Sequence, residues 1–412
     1  MRHSSESLRY THPYIKWRDR PREICFFFPL AEERYKVTPS NGHIQAFPFP
    51  MALQDKSQYG KLSLTQRLGL VGSLLSMPVK VLWSVLTTSH ASYNKDRTLK
   101  RIIGDTVLRN LTSLSTPQLQ MLFGTDQQIY ATFTKSYKLP STVDELGDDA
   151  KLYWIGPKRT ERVMLFLHGG AFLLPAADFS LRFWRYVQVE LEKKGVEVGF
   201  AYLEYTLAPY AAFPTPLKQA SLAVNFLLDA GVKPSNLQIA GDSAGGNLAI
   251  QLISHILHPL PSVPRISLSS PIRGVYLISP WTSLSASSPS HKFNDGLDFL
   301  TFPTLSSWGA QILEGFPTEH RVFAEAITAP ADWFAGAEGV FQRVLVTAGG
   351  AELLKDDIVA FHEVFKKHHS QTELVVQPNG LHEDMFLDFM LGEEKVGSLT
   401  PLTVEWLAAG FS

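Results

Sequence analysis

Cysteine is almost missing from this chain. Cys25 is the single one in 412 residues, which excludes any intrachain disulfide. It sits in the apolar run 24–28 and is expected to be a buried, inert thiol. There is no Cys-x-x-Cys or His-Glu-x-x-His, and the thirteen histidines show no zinc-ligand spacing, so no metal is expected. Charge is also scarce, at 19% Asp, Glu, Lys and Arg, with 38 basic residues against 39 acidic ones. A net charge of -1 offers no long-range attraction to phosphate backbones, which removes nucleic acid from the expected partners.

The first twenty residues are polar and basic and lack the apolar stretch of a cleavable signal peptide. An intracellular protein is expected, cytoplasmic or associated with the endoplasmic-reticulum membrane. Residues 68–86 form the only run long enough to consider as a membrane span, and Pro78 and Lys80 interrupt it. Gly69, Ser73, Ser76, Lys80 and Ser84 fall on one helical stripe; Leu68, Val71, Leu75, Val79, Leu82 and Leu86 fall on another. The spacing predicts an amphipathic helix rather than a span. Its apolar stripe is left with two destinations, a membrane surface or the rest of this chain. Asn110-Leu111-Thr112 is a glycosylation sequon that matters only in a secretory lumen. Nothing bears on the oligomeric state.

What is present is core material. A 45% hydrophobic content over 412 residues allows one large α/β domain with an appendage. No repeat or low-complexity tract appears, but the pattern changes near residue 150. Residues 1–150 are expected to be an N-terminal helical cap or membrane-associated region, with helices over 64–87, 98–114 and 118–137 and a connection over 140–150. From 151 to 412, short β-rich runs alternate with amphipathic helices, which predicts a mainly parallel sheet covered on both faces. The stretch 281–335, rich in Ser, Phe and Pro, interrupts that rhythm and is expected as a cap insertion.

The sharpest motif is Gly241-Asp242-Ser243-Ala244-Gly245, which follows an apolar strand and opens a helix. That context makes it a nucleophile elbow, with Ser243 lifted above the sheet and glycines clearing the turn. Upstream, His168-Gly169-Gly170-Ala171-Phe172 ends another apolar strand. Its backbone N–H groups, with that of Ala244, are expected to form an oxyanion hole. A serine hydroxyl needs a base, and His382, after a late strand and a glycine turn, has the right place in chain order. Glu352 is the first carboxylate after the preceding strand and is the expected orienting acid. Asp356 and Asp357 are expected on the following helix.

These segments, with Tyr205-Thr206-Leu207-Ala208-Pro209 and Phe213-Pro214, resemble the hormone-sensitive-lipase-like esterases of the α/β-hydrolase fold over about two-thirds of the chain. The resemblance implies a triad of Ser243, Glu352 and His382, an oxyanion hole from Gly169, Gly170 and Ala244, and no cofactor. Ala171 stands where the family has a third glycine, and Glu352 where it usually has Asp. The N-terminal third is loosely similar to fungal steryl acetyl hydrolases and arylacetamide deacetylases. The expected activity is hydrolysis of short, acetyl-type esters of a hydrophobic alcohol, such as a sterol or natural product. Acyl transfer, dehydration or cyclisation at the same site is the alternative. A non-catalytic small-molecule receptor is a weaker one, because both Ser243 and His382 are present. Phe293, Phe299, Phe302, Trp308, Trp333 and Phe334 are the candidates for an aromatic roof.

Overall fold

Val163–Leu167 and Leu237–Asp242 are buried along their whole length, as strands covered on both faces must be. They form the centre of an eight-stranded sheet in the computed structural model. It describes residues 53–411 except 96, 286 and 287, so the expectations for Cys25 and for the first twenty residues lie outside it. The strands are β1 (Val143–Gly147), β2 (Ala150–Ile155), β3 (Val163–Leu167), β4 (Gly199–Glu204), β5 (Leu237–Asp242), β6 (Gly274–Ile278), β7 (Val344–Gly349) and β8 (Thr372–Gln377). Their order is β1-β2-β4-β3-β5-β6-β7-β8. β1 and β2 run antiparallel, and every pairing from β4 to β8 is parallel.

Among the described residues four α-helices precede the sheet: α1 (Leu64–Thr88), α2 (Leu99–Thr112), α3 (Thr116–Phe123) and α4 (Asp126–Tyr137). Eight more follow: α5 (Asp178–Lys193), α6 (Thr215–Asp229), α7 (Ser243–Leu257), α8 (Pro289–Phe293), α9 (Phe302–Glu314), α10 (Lys355–Phe365), α11 (Asp384–Leu391) and α12 (Leu399–Phe411). The period-two geometry of a strand sends Leu165 and Leu167 into a core shared with α6, α7 and α10, while Met164 and Phe166 enter a second core with α5, α11 and α12. This is the predicted α/β class, with helices on both faces.

Two details differ from the sequence reading. The helix expected over 118–137 is broken into α3 and α4 at Gly124, whose φ of +77° caps α3, while Thr125 caps the start of α4 with a side-chain bond to the Gln128 N–H. The connection expected over 140–150 contains strand β1. Its Val-Asp-Glu-Leu-Gly sequence alternates exposed and half-buried positions at the sheet edge, where one charged face is tolerated.

Candidate active site

β5 hands over to α7 at Asp242 and Ser243, and the serine sits at φ +48°. A non-glycine residue there is strained and persists only when its surroundings hold it. A side chain at Gly241 would strike the Gly245 carbonyl, and one at Gly245 would strike the carbonyls of Leu167 and His168. The turn therefore needs both glycines. Ala244 is fully buried in the first turn of α7, and its N–H has no acceptor among the described residues.

The segment after β3 brings a second set of backbone donors. Gly170 takes φ +97°, and its N–H is also without an acceptor among the described residues. The Gly169 N–H is turned elsewhere, donating to Asp242 Oδ1 at 2.9 Å. Ala171 occupies the left-handed region at φ +57°, the conformation for which glycine is the easy choice. His168 is scaffold: its ring stacks on Tyr205 at 4.3 Å, and the Tyr205 hydroxyl donates to the His168 carbonyl at 2.8 Å. Its Nδ1 lies 2.7 Å from the Gly169 carbonyl, which fixes the proton on Nδ1, and burial lowers its pKa so that the ring stays neutral. Its Nε2 lies 3.9 Å from Asp126 Oδ1, and burial pushes Asp126 up to about 7.

His382 follows β8 and is 3% exposed. Its Nδ1 is 3.8 Å from Glu352 Oε2, an ion-pair distance rather than a hydrogen bond. Glu352 is wholly buried beyond β7, where Oε2 accepts from the Ser279 hydroxyl at 2.6 Å and the Gly349 N–H at 3.0 Å. Burial lowers the His382 pKa, but the neighbouring Glu352, Asp298 and Asp242 carboxylates outweigh it and hold the value above the ordinary one. Asp356 and Asp357 lie on α10, as expected, and face α8: Asp356 accepts from the Ser290 N–H, and Asp357 lies 3.2 Å from His291 Nε2.

Three features around this histidine were not read from the sequence. Asp298, in the loop before α9, accepts the N–H groups of His382 at 3.3 Å, Phe299 at 2.7 Å and Leu353 at 2.9 Å. It ties the histidine loop to the loop that carries Glu352. Burial raises Asp298 to about 6. Ser279, at φ +43°, donates to Glu352 and accepts the Glu383 N–H at 3.2 Å. Glu383 itself has Oε1 3.5 Å from His382 Nε2 and hydrogen-bonds Asp242. Burial and then the Asp242 carboxylate keep Glu383 protonated well above the usual range, so the pair holds one proton between two carboxyls. Asp242 stood inside the serine motif; Asp298 and Glu383 carry no motif of their own.

Ser243, His382, Gly169 and Gly170 line one cavity of about 370 Å³. Of the six aromatic roof candidates, Phe299 and Trp308 face it, joined by Trp281. Phe334 packs between Phe361 and Phe365, Trp333 stacks on His258, and Phe293 is exposed. The remaining roof comes from the N-terminal helices through Leu108, Leu111, Phe123 and Ile129.

The alpha/beta hydrolase fold family matches residues 164–386, over half of the chain. The chain is 26% identical to an acetyl-hydrolase of Streptomyces hygroscopicus over 233 residues, 56% of this chain and 70% of that one. It is 22% identical to a provisionally named steryl acetyl hydrolase of Schizosaccharomyces pombe over 306 residues, 69% of this chain and 73% of the other. An esterase structure from the bacterial hormone-sensitive lipase family superposes with a TM-score of 0.59 at 21% identity, covering 77% of this chain and 99% of that one. That likeness speaks for the fold, and the sequence relatives speak for the chemistry. The chain belongs to the α/β-hydrolase fold family and is an enzyme of the carboxylic ester hydrolase class.

Proposed function

We propose that the enzyme removes short, acetyl-type acyl groups from an uncharged hydrophobic alcohol by way of a Ser243 acyl-enzyme. One observation carries the reading: Ser243, on its strained elbow, and His382 open into the same cavity, whose walls are Trp281, Phe299, Leu300, Leu305 and Trp308. A volume of about 370 Å³ lies at the small end of ligand pockets. It suits a compact acyl group with part of an apolar alcohol. The preference for acetyl rests on the names of the relatives above.

In this mechanism His382 takes the Ser243 hydroxyl proton as Oγ bonds to the ester carbonyl carbon. The Gly170 and Ala244 N–H groups, free of other acceptors, receive the developing oxyanion. Gly169 joins them only when Asp242 lets go of its N–H. The carbon–alkoxide bond then breaks, and His382 returns the proton to the leaving alcohol. A water gives a proton to His382 as it attacks the acyl-serine, the acyl carbon–Oγ bond breaks, His382 returns the proton to Ser243 Oγ, and the carboxylic acid leaves. Glu352, buried and held by Ser279 and Gly349, faces Nδ1 and keeps the imidazole oriented as its charge develops.

The test is hydrolysis of p-nitrophenyl esters from acetate to laurate by wild type and Ser243→Ala, followed by acetates of hydrophobic alcohols. Activity that peaks at acetate and vanishes in the variant is the expected result. A folded wild type inactive on every chain length overturns the reading.

A further inference from the structure

Helix α1 leaves a long apolar stripe outside the domain. An amphipathic helix on a domain surface buries its apolar stripe and gives its polar stripe to water. Here the stripe of Leu68, Val71, Leu75, Val79, Leu82 and Leu86 points away from the described chain, with Leu75 at 75% and Val79 at 71% exposed. The side towards the domain mixes the half-buried Ser73, Ser76 and Ser84 with half-buried Met77, Val81 and Val85, and Leu70 is the one buried residue of the helix. Polar bonds hold that side down near both ends: Gln118 Nε2 donates to the Gln66 carbonyl at 2.7 Å, and the Ser84 and Thr106 hydroxyls are 2.7 Å apart. A helix of 25 residues, about 37 Å long, thus lies along the domain and exposes an unbroken apolar face. By length and composition alone it could also cross a membrane, but these contacts along one side place it flat against α2 and α3.

The charges around it are mainly basic. Residues 56–100 carry seven Lys or Arg against one acid, Asp96, in a chain whose overall net charge is only -1. Arg67, Lys80 and Lys95 form no ion pair with any described residue. An exposed apolar face flanked by unpaired cations fits an anionic lipid surface.

A second apolar surface adjoins the active site. A groove between α2 and α11, lined by Leu99, Ile103, Val107 and Leu391, adjoins the catalytic cavity, and Leu108, Leu111 and Met390 line both. Phe123, 37% exposed at the end of α3, also lines the catalytic cavity. Apolar side chains therefore line both the outer groove and the cavity that holds Ser243.

We propose that α1 and the α2–α11 groove form a docking surface for an anionic lipid bilayer, through which a membrane-dissolved ester reaches Ser243 without crossing water. The route rests on the esterase reading above; the docking surface does not.

The test uses the full chain and vesicles of phosphatidylcholine with or without phosphatidylserine. It compares wild type, the double variant Leu75→Glu with Val79→Glu, and Ile103→Glu, which touches the groove but not the catalytic cavity. Wild type is expected to float with the vesicles, more strongly with phosphatidylserine. The double variant should lose at least tenfold in partitioning and in turnover of a long-chain alkyl acetate embedded in the vesicles, with kcat/KM on soluble p-nitrophenyl acetate unchanged. Ile103→Glu should still bind vesicles yet lose embedded-ester turnover selectively. A wild type that stays with the soluble fraction, or a double variant that binds equally well, overturns the docking surface. So does a wild-type dimer that the double variant splits in sedimentation velocity, since the occupant would then be a second copy. Full embedded-ester turnover by Ile103→Glu overturns the route. Vesicle binding by a wild type that hydrolyses neither ester supports the docking surface and removes the esterase reading.

Discussion

Arg101 Nη2 lies 2.6 Å from Asp384 Oδ1, so a guanidinium on α2 grips the carboxylate two residues beyond His382. The same arginine reaches Asp105 at 2.7 Å and Asp388 at 3.1 Å, and Asp384 in turn accepts the Leu381 N–H at 2.9 Å. The pre-sheet helices are thereby fastened to the histidine loop. Arg101→Met would leave three largely buried carboxylates short of a partner. We expect a loss of about 3–5 kcal/mol in urea unfolding. Arg101→Lys should recover little of it, because one ammonium cannot reproduce the fork.

Asp298 accepts three backbone N–H groups on two oxygens. An asparagine offers one acceptor oxygen and would aim its NH₂ at a donor. Asp298→Asn should cost about 1–3 kcal/mol in stability. It should also lower kcat more than it raises KM, because it loosens His382 and the Glu352 loop together. Steady-state kinetics on p-nitrophenyl acetate separates the two effects.

The His382 pKa is held above the ordinary histidine value, so more alkaline solution is needed to free the base. The acid limb of kcat/KM should therefore lie above about pH 6.5. Glu352→Gln removes one of the charges that raise it, and the limb should move to lower pH while kcat falls on the order of a thousandfold. A Glu352→Gln variant with near-wild-type kcat and an unmoved limb would shift the orienting role to Asp298.

Burial raises Asp126 to about 7 from an ordinary 3.8. Its protonated form is the one the fold prefers, so its contribution is complete below about pH 3.8 and is lost as pH climbs through 7. The wild type should lose stability relative to Asp126→Asn between those values, by up to about 4 kcal/mol for a shift of that size. Urea midpoints at pH 4.5 and 7.5 for both proteins measure it.

The parts legible in the sequence were those whose chemistry is local. Strand, elbow and helix around Ser243 are consecutive in the chain, over 237–257, and the steric need for Gly241 and Gly245 is written in the motif itself. His382 and Glu352 were reachable because strand order places their loops at one end of a parallel sheet. Asp298 was not, since two of its three bonds join loops 55 and 84 residues away and no spacing announces them. Arg101 was hidden for the same reason, with partners 283 and 287 residues distant. The aromatic roof was only partly read, because composition cannot tell Trp308, which faces the cavity, from Phe334, which packs against α10. The apolar stripe of α1 could be drawn from the sequence, but that it faces away from the domain needed the fold.

The single negative charge shared by Asp242 and Glu383 bears on how a turnover ends. Both carboxyls line the cavity in which the substrate sits. A neutral ester enters without an electrostatic penalty, and the alcohol leaves neutral as well. The acid product is different: once ionised, it is an anion beside a like charge in a confined, apolar space. Repulsion speeds its departure at the end of the cycle and makes it a poor species to rebind. That biases the site toward completing hydrolysis, and added acetate should be a weak inhibitor where an uncharged alcohol of similar size competes well.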